Sequence, residues 1–514
     1  MNSYVGLAQI IERNAQIKAT KTAVITEEGQ RTWAETRSRI ARVAQALSTK
    51  GAGKGDKVAI LAMNSDIYFE CLFSIVWFGG IFVPLNVRWS VAENLYALED
   101  SESRILVFDD YFLDVVGEMR EKNPAIWLYV YSGTGKCPTW AVSYSDLLES
   151  GEEIPSLAHG GDEAAAIMYT GGTTGQPKGV MLSHLGMFAS ALALNKAVGF
   201  EEDEIYLHAA PMFHGADMGV SLAASLEGCA HTFVPFFDVD TVILQIVKMK
   251  VTTTLMVPTM INMLISDPTS ETADLSSLQR IVYGGSPITE DVLSRALQLL
   301  PHAQFYQAYG QTEMSPLVSI LDAKYHVVGG EFLKSSGQAI ACVQIGIRRS
   351  DGSLADVGEV GEIEVSGPNI MLGYHNKPDE TKAALVDGYV RTGDAGYLDA
   401  NGFLFLADRV KDMIITGGEN VFSVEVESVI SLIEAVQDVA VIGIPSEKWG
   451  EEVHAIIVLH AGQAVMAEDV ISFCKEKIAG YKCPKSVTIR KEPLPVSAAG
   501  KILKNKLRKD YISS

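Results

Sequence analysis

Apolar residues recur along the chain with two periods that alternate. From Trp33 to Lys50 they return at helical spacing, through Ile40, Val43, Ala44 and Leu47, and Gly51 supplies a stop. Lys57 to Met63 reads as a strand, residues 66–78 as a helix, Ile81-Phe82-Val83-Pro84 as extended chain and Arg104 to Phe108 as a further strand. Ala164 to Met168 is a short apolar run of the kind that makes a buried strand, and Arg280 to Val282 is a further strand candidate. This alternation predicts an α/β architecture with largely parallel sheets. The most apolar segment, Cys71 to Leu85, contains Ser74 and Gly79-Gly80. It falls short of the roughly 20 residues a membrane helix needs and reads as a buried helix running into a buried strand. At 514 residues the chain is too long for one simple core, and its C-terminal part shifts to shorter, Lys- and Glu-rich elements, as a smaller and more exposed domain would.

Charge and cysteine content narrow the class. A net charge of −21 argues against nucleic acid or an anionic membrane as the main partner. It also means that a polyphosphate ligand would have to be held by local donors against an unfavourable global field. Cys71, Cys137, Cys229, Cys342, Cys474 and Cys483 are scattered, with no Cys-x-x-Cys pair, so neither a zinc site nor a disulfide framework is indicated and a reducing cytoplasm fits best. The N-terminal residues lack a basic start followed by an apolar stretch, and Tyr511-Ile512-Ser513-Ser514 carries no recognisable address, so no targeting signal is expected.

The chemistry centres on Tyr169-Thr170-Gly171-Gly172-Thr173-Thr174-Gly175-Gln176-Pro177-Lys178-Gly179, directly after the apolar run at Ala164. Glycines let the backbone bend tightly and approach a ligand closely, and successive N–H groups on such a bend form an anion-attracting nest. Threonine hydroxyls and Lys178 add donors and positive charge, so the segment suits an oligophosphate. It is not the NTPase P-loop, which ends Gly-Lys-Ser/Thr, since Gly179 follows Lys178. Gly51-Ala52-Gly53-Lys54-Gly55 has the wrong spacing for a dinucleotide fingerprint and precedes a strand, so it reads as a turn.

This loop resembles that of the adenylate-forming (AMP-binding) superfamily, which holds acyl-CoA synthetases, peptide-synthetase adenylation domains and luciferases. Only Gly171 departs, standing where that family usually has serine. Further motifs follow in the family's order over nearly the whole chain. The resemblance implies a large N-terminal domain of layered sheets and helices, residues 1–409, and a small mobile α/β C-terminal domain, residues 410–514, with the hinge at Lys411-Asp412. It implies ATP, Mg²⁺ and coenzyme A as cofactors or co-substrates.

Residue by residue, the resemblance assigns Thr170, Gly172, Thr173, Thr174, Gly175 and Lys178 to phosphate binding. His214, in Pro211-Met212-Phe213-His214-Gly215, would border the reacting carboxyl group and the thiol channel; neither it nor His208 has the companions of a metal ligand. Gly284, Gly285 and Ser286 would wall the adenine and acyl sites, and Ile288 breaks any nucleophile-elbow pattern there. In Gln307-Ala308-Tyr309-Gly310-Gln311-Thr312-Glu313, Tyr309 would stack on adenine, Thr312 would touch the α-phosphate and Glu313 would hold Mg²⁺. Asp394 would accept from both ribose hydroxyls, assisted by Arg409, although Asp408 replaces the family's glycine before it. Gly417 and Gly418 would line the pantetheine tunnel, with Trp449 on the CoA-facing side. Lys501 would reach the carboxylate and α-phosphate in the first half-reaction; the run Lys504 to Lys509 reads by itself as a solvated helix end.

The implied activity is an acid–CoA ligase working through an acyl-adenylate, with the C-terminal domain swinging about Lys411 to exchange Lys501 for Gly417-Gly418. An enzyme loading a carrier protein, a luciferase-like oxidase and a non-catalytic nucleotide sensor are the alternatives, the last disfavoured by the presence of both Glu313 and Lys501. The acid is not legible. The candidates around it, His214, Met218, Gly284, Gly285, Gly310 and Met314, are mostly small or apolar, which favours an aliphatic or aryl acid over an amino acid. No integral membrane segment is expected, and assembly is open, a homodimer being one outcome.

Overall fold

The structure is a computed structural model that describes residues 5–170, 177–286, 288–349, 351–409, 412, 414–416, 419–421, 423–446, 449–496 and 502–512, with Asp408, Arg409, Ile415, Glu419, Asn420 and Ile512 described in backbone only. The chain packs into two compact units. One comprises Met1–Ile345 and Val365–Val390, the other Gly346–Glu364 and Arg391–Ser514. Packing therefore groups Asp394 and Arg409 with the C-terminal residues. The domains expected from the sequence divide at 409/410, and Lys411 of the expected hinge lies outside the described residues.

The first unit is α/β, as the alternation of periods predicts. Among the described residues it contains two large sheets. In the eight-stranded sheet, Ile81–Pro84, Lys57–Leu61, Ile105–Phe108 and Leu128–Tyr131 run parallel. The core strands are apolar on both faces, which is the mark of a sheet covered on both sides. The strand expected to reach Met63 stops at Leu61, because the Met63 N–H turns out of the ladder to donate to the Asp109 carboxylate at 2.7 Å. Helix Trp33–Thr49 begins at a capping box made by Thr32 and Glu35, and helix Asp66–Trp77 begins at Ser65, whose side chain accepts from the Tyr68 N–H. Cys71 to Leu85 is indeed a buried helix leading into the strand Ile81–Pro84. No helix among the described residues is long and apolar enough to cross a membrane. The six cysteines are free.

At one end of this sheet, Ala164–Thr170 and Lys178–Ser183 form an antiparallel hairpin whose last described pair is Thr170 opposite Lys178. The glycine loop proper, residues 171–176, lies outside the described residues. A two-residue strand, Gly373–Tyr374, pairs outside the hairpin, with Tyr374 opposite Val180 and Gly373 opposite Met181.

In the nine-stranded sheet, Arg280–Gly284 and Gln304–Tyr309 are parallel neighbours, with Gly284 opposite Ala308. Ser286 does not start the following helix: Thr289 is the N-cap, accepting from the Val292 N–H. Helix Gly215–Glu227 is fastened to the sheet by a buried polar chain. Asp217 accepts from the Tyr206 hydroxyl and from His208 Nδ1, both at 2.7 Å; His208 Nε2 meets His231 Nδ1 at 3.0 Å, and His231 Nε2 meets Ser225 Oγ at 3.0 Å. One assignment satisfies every member: both imidazoles carry their proton on Nδ1, and Ser225 donates.

In the second unit, Val436–Ser446 and Gly450–Leu459 form a long antiparallel pair flanked by Ser486–Arg490. Alternate residues face two apolar layers. Val441, Val453 and Ala455 pack with Val426 and Ile430 of helix Ser423–Ile430, while Ala440, Ile442 and Ile456 pack with Leu507. Helix Lys504–Ile512 is therefore not merely a solvated end. Lys504 pairs with Glu427 at 2.7 Å, Leu507 is buried, and Arg508 pairs with Asp412 at 3.1 Å.

Two expected outcomes follow from the packing. Burial, together with the neighbouring His159, pushes His184 down to about 3, and burial pushes His326 and His454 down to about 4. The unfolded chain then binds more protons below its ordinary histidine range near ~6.5, so stability is lost as pH falls through that value toward ~4. The loss is about 1.4 kcal/mol per pH unit for each such histidine. Urea midpoints taken between about pH 7.5 and 4.5 should decline below 6.5, and a flat profile would contradict neutral burial. Separately, a Cβ on Gly310 would lie 1.8 Å from the Pro316 carbonyl oxygen. Gly310→Ala is expected to cost ~3 kcal/mol or more, read as a lowered melting temperature, because the obstacle is backbone that cannot rotate away.

Candidate active site

The candidate site is assembled from three stretches of the first unit that are far apart in sequence. The first is the base of the glycine-loop hairpin, with Lys178 half-buried. The second is the turn after strand Gln304–Tyr309, where Thr312–Met314 form one short 3₁₀ turn. The third is the segment Met371 to His375, which is stitched to both: the Met371 N–H donates to Glu313 O at 2.8 Å, the Leu372 N–H to Met181 O at 2.9 Å and the His375 N–H to Gly179 O at 2.7 Å.

That third stretch carries a residue that sequence reasoning missed. Tyr374 donates its hydroxyl to Glu313 Oε1 at 2.9 Å, and Lys178 Nζ lies 4.7 Å from the centroid of the same ring. Burial, then the Glu313 charge, push the phenol upward, so it keeps its proton and serves as donor. The only sequence signal was a tyrosine after Gly373; the contact spans 61 positions. Tyr169, at the start of the loop, donates to Asp100 at 2.7 Å and braces the hairpin from the other side.

Gly284 and Gly310 owe their identity to crowding. A Cβ on Gly284 would sit 2.3 Å from Ala308 O in the adjacent strand. Gly285 instead adopts φ +82, a left-handed conformation. Tyr309 is 9% exposed, and its carbonyl accepts from the Val318 N–H at 2.8 Å. Gln307 lies within 3.2 Å of the buried Tyr283 hydroxyl, which also meets His326 Nε2 at 2.9 Å. His326 Nδ1 donates to Asp322 O at 3.1 Å, so Nε2 accepts from Tyr283. The phenol has one proton, so Gln307 must face it with its NH₂.

Next to the 3₁₀ turn lies a small apolar cleft. Met168, Leu182, Met187, Met218 and Leu222 supply most of its wall, and Thr312 is one of the few polar groups on it. Gly215 and Gly219, one helical turn apart, let Pro316 approach the helix: added Cβ atoms would meet its ring at 3.3 Å and 2.9 Å. Of the residues proposed for an acyl pocket, Met218 lines this cleft; Gly284, Gly285, Gly310 and Met314 do not. His214 is the N-cap of helix Gly215–Glu227, its Nδ1 accepting from the Ala216 N–H at 3.3 Å, which puts the ring proton on Nε2.

In the second unit, Asp394 and Arg409 are directly opposite in an antiparallel pair, so the two expected ribose residues share one register position. Gly393 has φ +69. Strand Ile414–Thr416 pairs through Thr416 with Gly450, the residue after the half-exposed Trp449. Gly172, Thr173, Thr174, Gly175, Lys411, Gly417, Gly418 and Lys501 lie outside the described residues.

Glu313 is the carboxylate the sequence offers for a metal. Among the described residues no three His, Cys, Asp or Glu side chains converge on a metal position. A cation there would take one protein carboxylate and complete its shell from phosphate oxygens and water, which is the habit of Mg²⁺.

These features coincide with known proteins. The family model described as AMP-binding enzyme matches residues 11–375, and the model described as AMP-binding enzyme C-terminal domain matches residues 425–501. A feruloyl-CoA synthase of Amycolatopsis sp. is 35% identical over 507 residues, 98% of this chain and 99% of that protein. A fatty acid–[acyl-carrier-protein] ligase of Streptomyces coeruleorubidus is 33% identical over 507 residues, 98% of this chain and 96% of that protein. The o-succinylbenzoate CoA synthetase of Bacillus subtilis, solved with its acyl-adenylate intermediate, superposes with a TM-score of 0.85 at 32% identity and covers 97% of each chain. The motifs, the two-unit α/β fold and these likenesses agree: the chain belongs to the AMP-binding enzyme family.

Proposed function

We infer that the protein is an AMP-forming carboxylic acid–CoA ligase that acts on an aliphatic or aryl acid through an acyl-adenylate. One observation carries this reading. Lys178 and Glu313, a cation for phosphate and a carboxylate for a metal, flank Tyr374, and the residue before Glu313, Thr312, borders an apolar cleft. Such a junction suits a triphosphate on one side and the tail of an acid on the other. The methionines at the cleft adapt to varied apolar shapes.

In the first half-reaction an oxygen of the substrate carboxylate attacks the α-phosphorus of ATP. The bond from that phosphorus to the bridging oxygen breaks, and pyrophosphate leaves. The residues act by positioning and charge: Lys178 and the loop threonines toward the phosphates, Thr312 toward the α-phosphate, and Lys501 toward the two anions that must meet. Tyr309 and Gln307 would hold adenine, with Asp394 and Arg409 on the ribose. Mg²⁺ at Glu313 would neutralise charge on the phosphates. In the second half-reaction the CoA sulfur attacks the acyl carbon, the thiol proton is lost, the bond to the AMP oxygen breaks and AMP leaves. Rotation about Lys411 would withdraw Lys501 and present Gly417, Gly418 and Trp449 to the pantetheine arm. A reducing cytoplasm suits a chain with six free thiols.

A carrier protein as acceptor is the second reading, favoured by the likeness to the Streptomyces coeruleorubidus ligase. Two outcomes are expected. ATP–pyrophosphate exchange should appear only with an added aliphatic or aryl acid, and CoA should then release AMP and yield the thioester. Exchange without CoA-dependent release, restored by a phosphopantetheinylated carrier, would favour the second reading; no exchange over a broad acid panel would refute both. Lys501→Ala should lower exchange by about 10²–10³-fold, the scale of losing one transition-state charge contact. Conversion of supplied acyl-adenylate to thioester should stay near wild type, and equal loss of both steps would refute the two-pose scheme.

A further inference from the structure

Lys178 and Glu313 are opposite charges at one site, yet no ion pair joins them among the described residues; a tyrosine ring stands between. Left to themselves, such groups would collapse onto each other and cancel the charges that a polyphosphate and its metal need. Resting on the reading of Lys178 as a phosphate donor and Glu313 as a metal ligand, we propose that Tyr374 is a positioning residue: its ring spaces and seats Lys178, and its hydroxyl orients the Glu313 carboxylate toward the metal.

The local chain is built for this placement. Tyr374 sits on the two-residue strand Gly373–Tyr374, whose backbone is tied to the Lys178 strand at Met181 and Gly179 and to the Glu313 turn through Met371. The Tyr374 N–H donates to Thr381 Oγ1 at 2.9 Å, which fixes the strand from its far side. Gly373 lies at φ +141, and a Cβ there would meet Thr381 Cγ2 at 2.8 Å, so no larger residue preserves this approach. With its backbone held on both sides, the side chain lies where face and hydroxyl engage different charges. The face attracts the ammonium through the ring quadrupole. The hydroxyl occupies Oε1 of Glu313, and Oε2 takes no hydrogen bond among the described residues. Orientation of a ligating carboxylate by an outer hydrogen bond is a recurrent way to tune a metal site.

Tyr374→Phe keeps the ring and removes the hydroxyl; Tyr374→Leu removes both. The test is calorimetric binding to the full chain of ATP without metal, ATP with increasing Mg²⁺, and AMP, which lacks the β- and γ-phosphates. For Tyr374→Phe, metal-free ATP and AMP should bind as in wild type, while the Mg²⁺ concentration giving half of the metal-dependent gain should rise by about 10-fold or more. For Tyr374→Leu, metal-free ATP should also weaken, by about 5-fold or more, as Lys178 loses its seat, with AMP again unchanged. An unaltered Mg²⁺ midpoint in Tyr374→Phe overturns the proposal. So does parallel weakening of AMP in both variants, which would mean that the tyrosine only supports the fold. A wild-type chain that binds ATP with no metal-dependent gain would instead overturn the underlying nucleotide reading.

Discussion

A lysine and a glutamate held on either side of one phenol ring, without neutralising each other, are the constraint on which the rest of the site depends. Each charge is useful only while it is unspent. Keeping them apart requires a group that contacts both, and tyrosine does so with two different parts of one side chain. The backbone must then deliver that side chain to a fixed point. It does so by tying Met371 to His375 to the Glu313 turn and to the Lys178 strand at once. Three segments distant in sequence thereby become one rigid platform at the foot of the glycine loop.

Close backbone approach is the second device, and it recurs around the site. Gly310 lets the chain double back so that the Pro316 carbonyl lies where a side chain would start. That return swings Thr312, Ser315 and Pro316 onto the apolar cleft. Gly215 and Gly219 then let the helix accept Pro316. The same turn that carries Glu313 thus closes one wall of that cleft. The buried chain from Tyr206 to Ser225 anchors the helix that supplies another part of the cleft wall.

The second unit follows a different logic. Its sheet is covered on both faces by alternating residues of one long strand pair. The residues proposed for ribose sit opposite one another on an antiparallel pair, and Trp449, proposed for the CoA-facing side, precedes Gly450, which pairs with Thr416.

Much of this was written locally. Alternating periods determined the α/β class, because burial on one helical stripe or on both faces of a strand leaves a pattern that neighbours along the chain reveal. The glycine loop, Thr312, Glu313, Asp394 and Lys501 stand out as candidates because each lies in a compact motif whose adjacent residues suggest a chemistry. Tyr374 does not, since a lone tyrosine after a glycine has no local signature of the carboxylate 61 positions away. The wall of the cleft was not legible for the same reason. Gly284 and Gly310 are crowded by backbone from another strand or turn, and Gly215 and Gly219 gain meaning only once Pro316 is known to pack there. Sequence alone determined which reactive groups the chain owns and in what order. Tertiary structure decided which of them meet, because distance in space between segments far apart along the chain is set by packing that no single segment encodes.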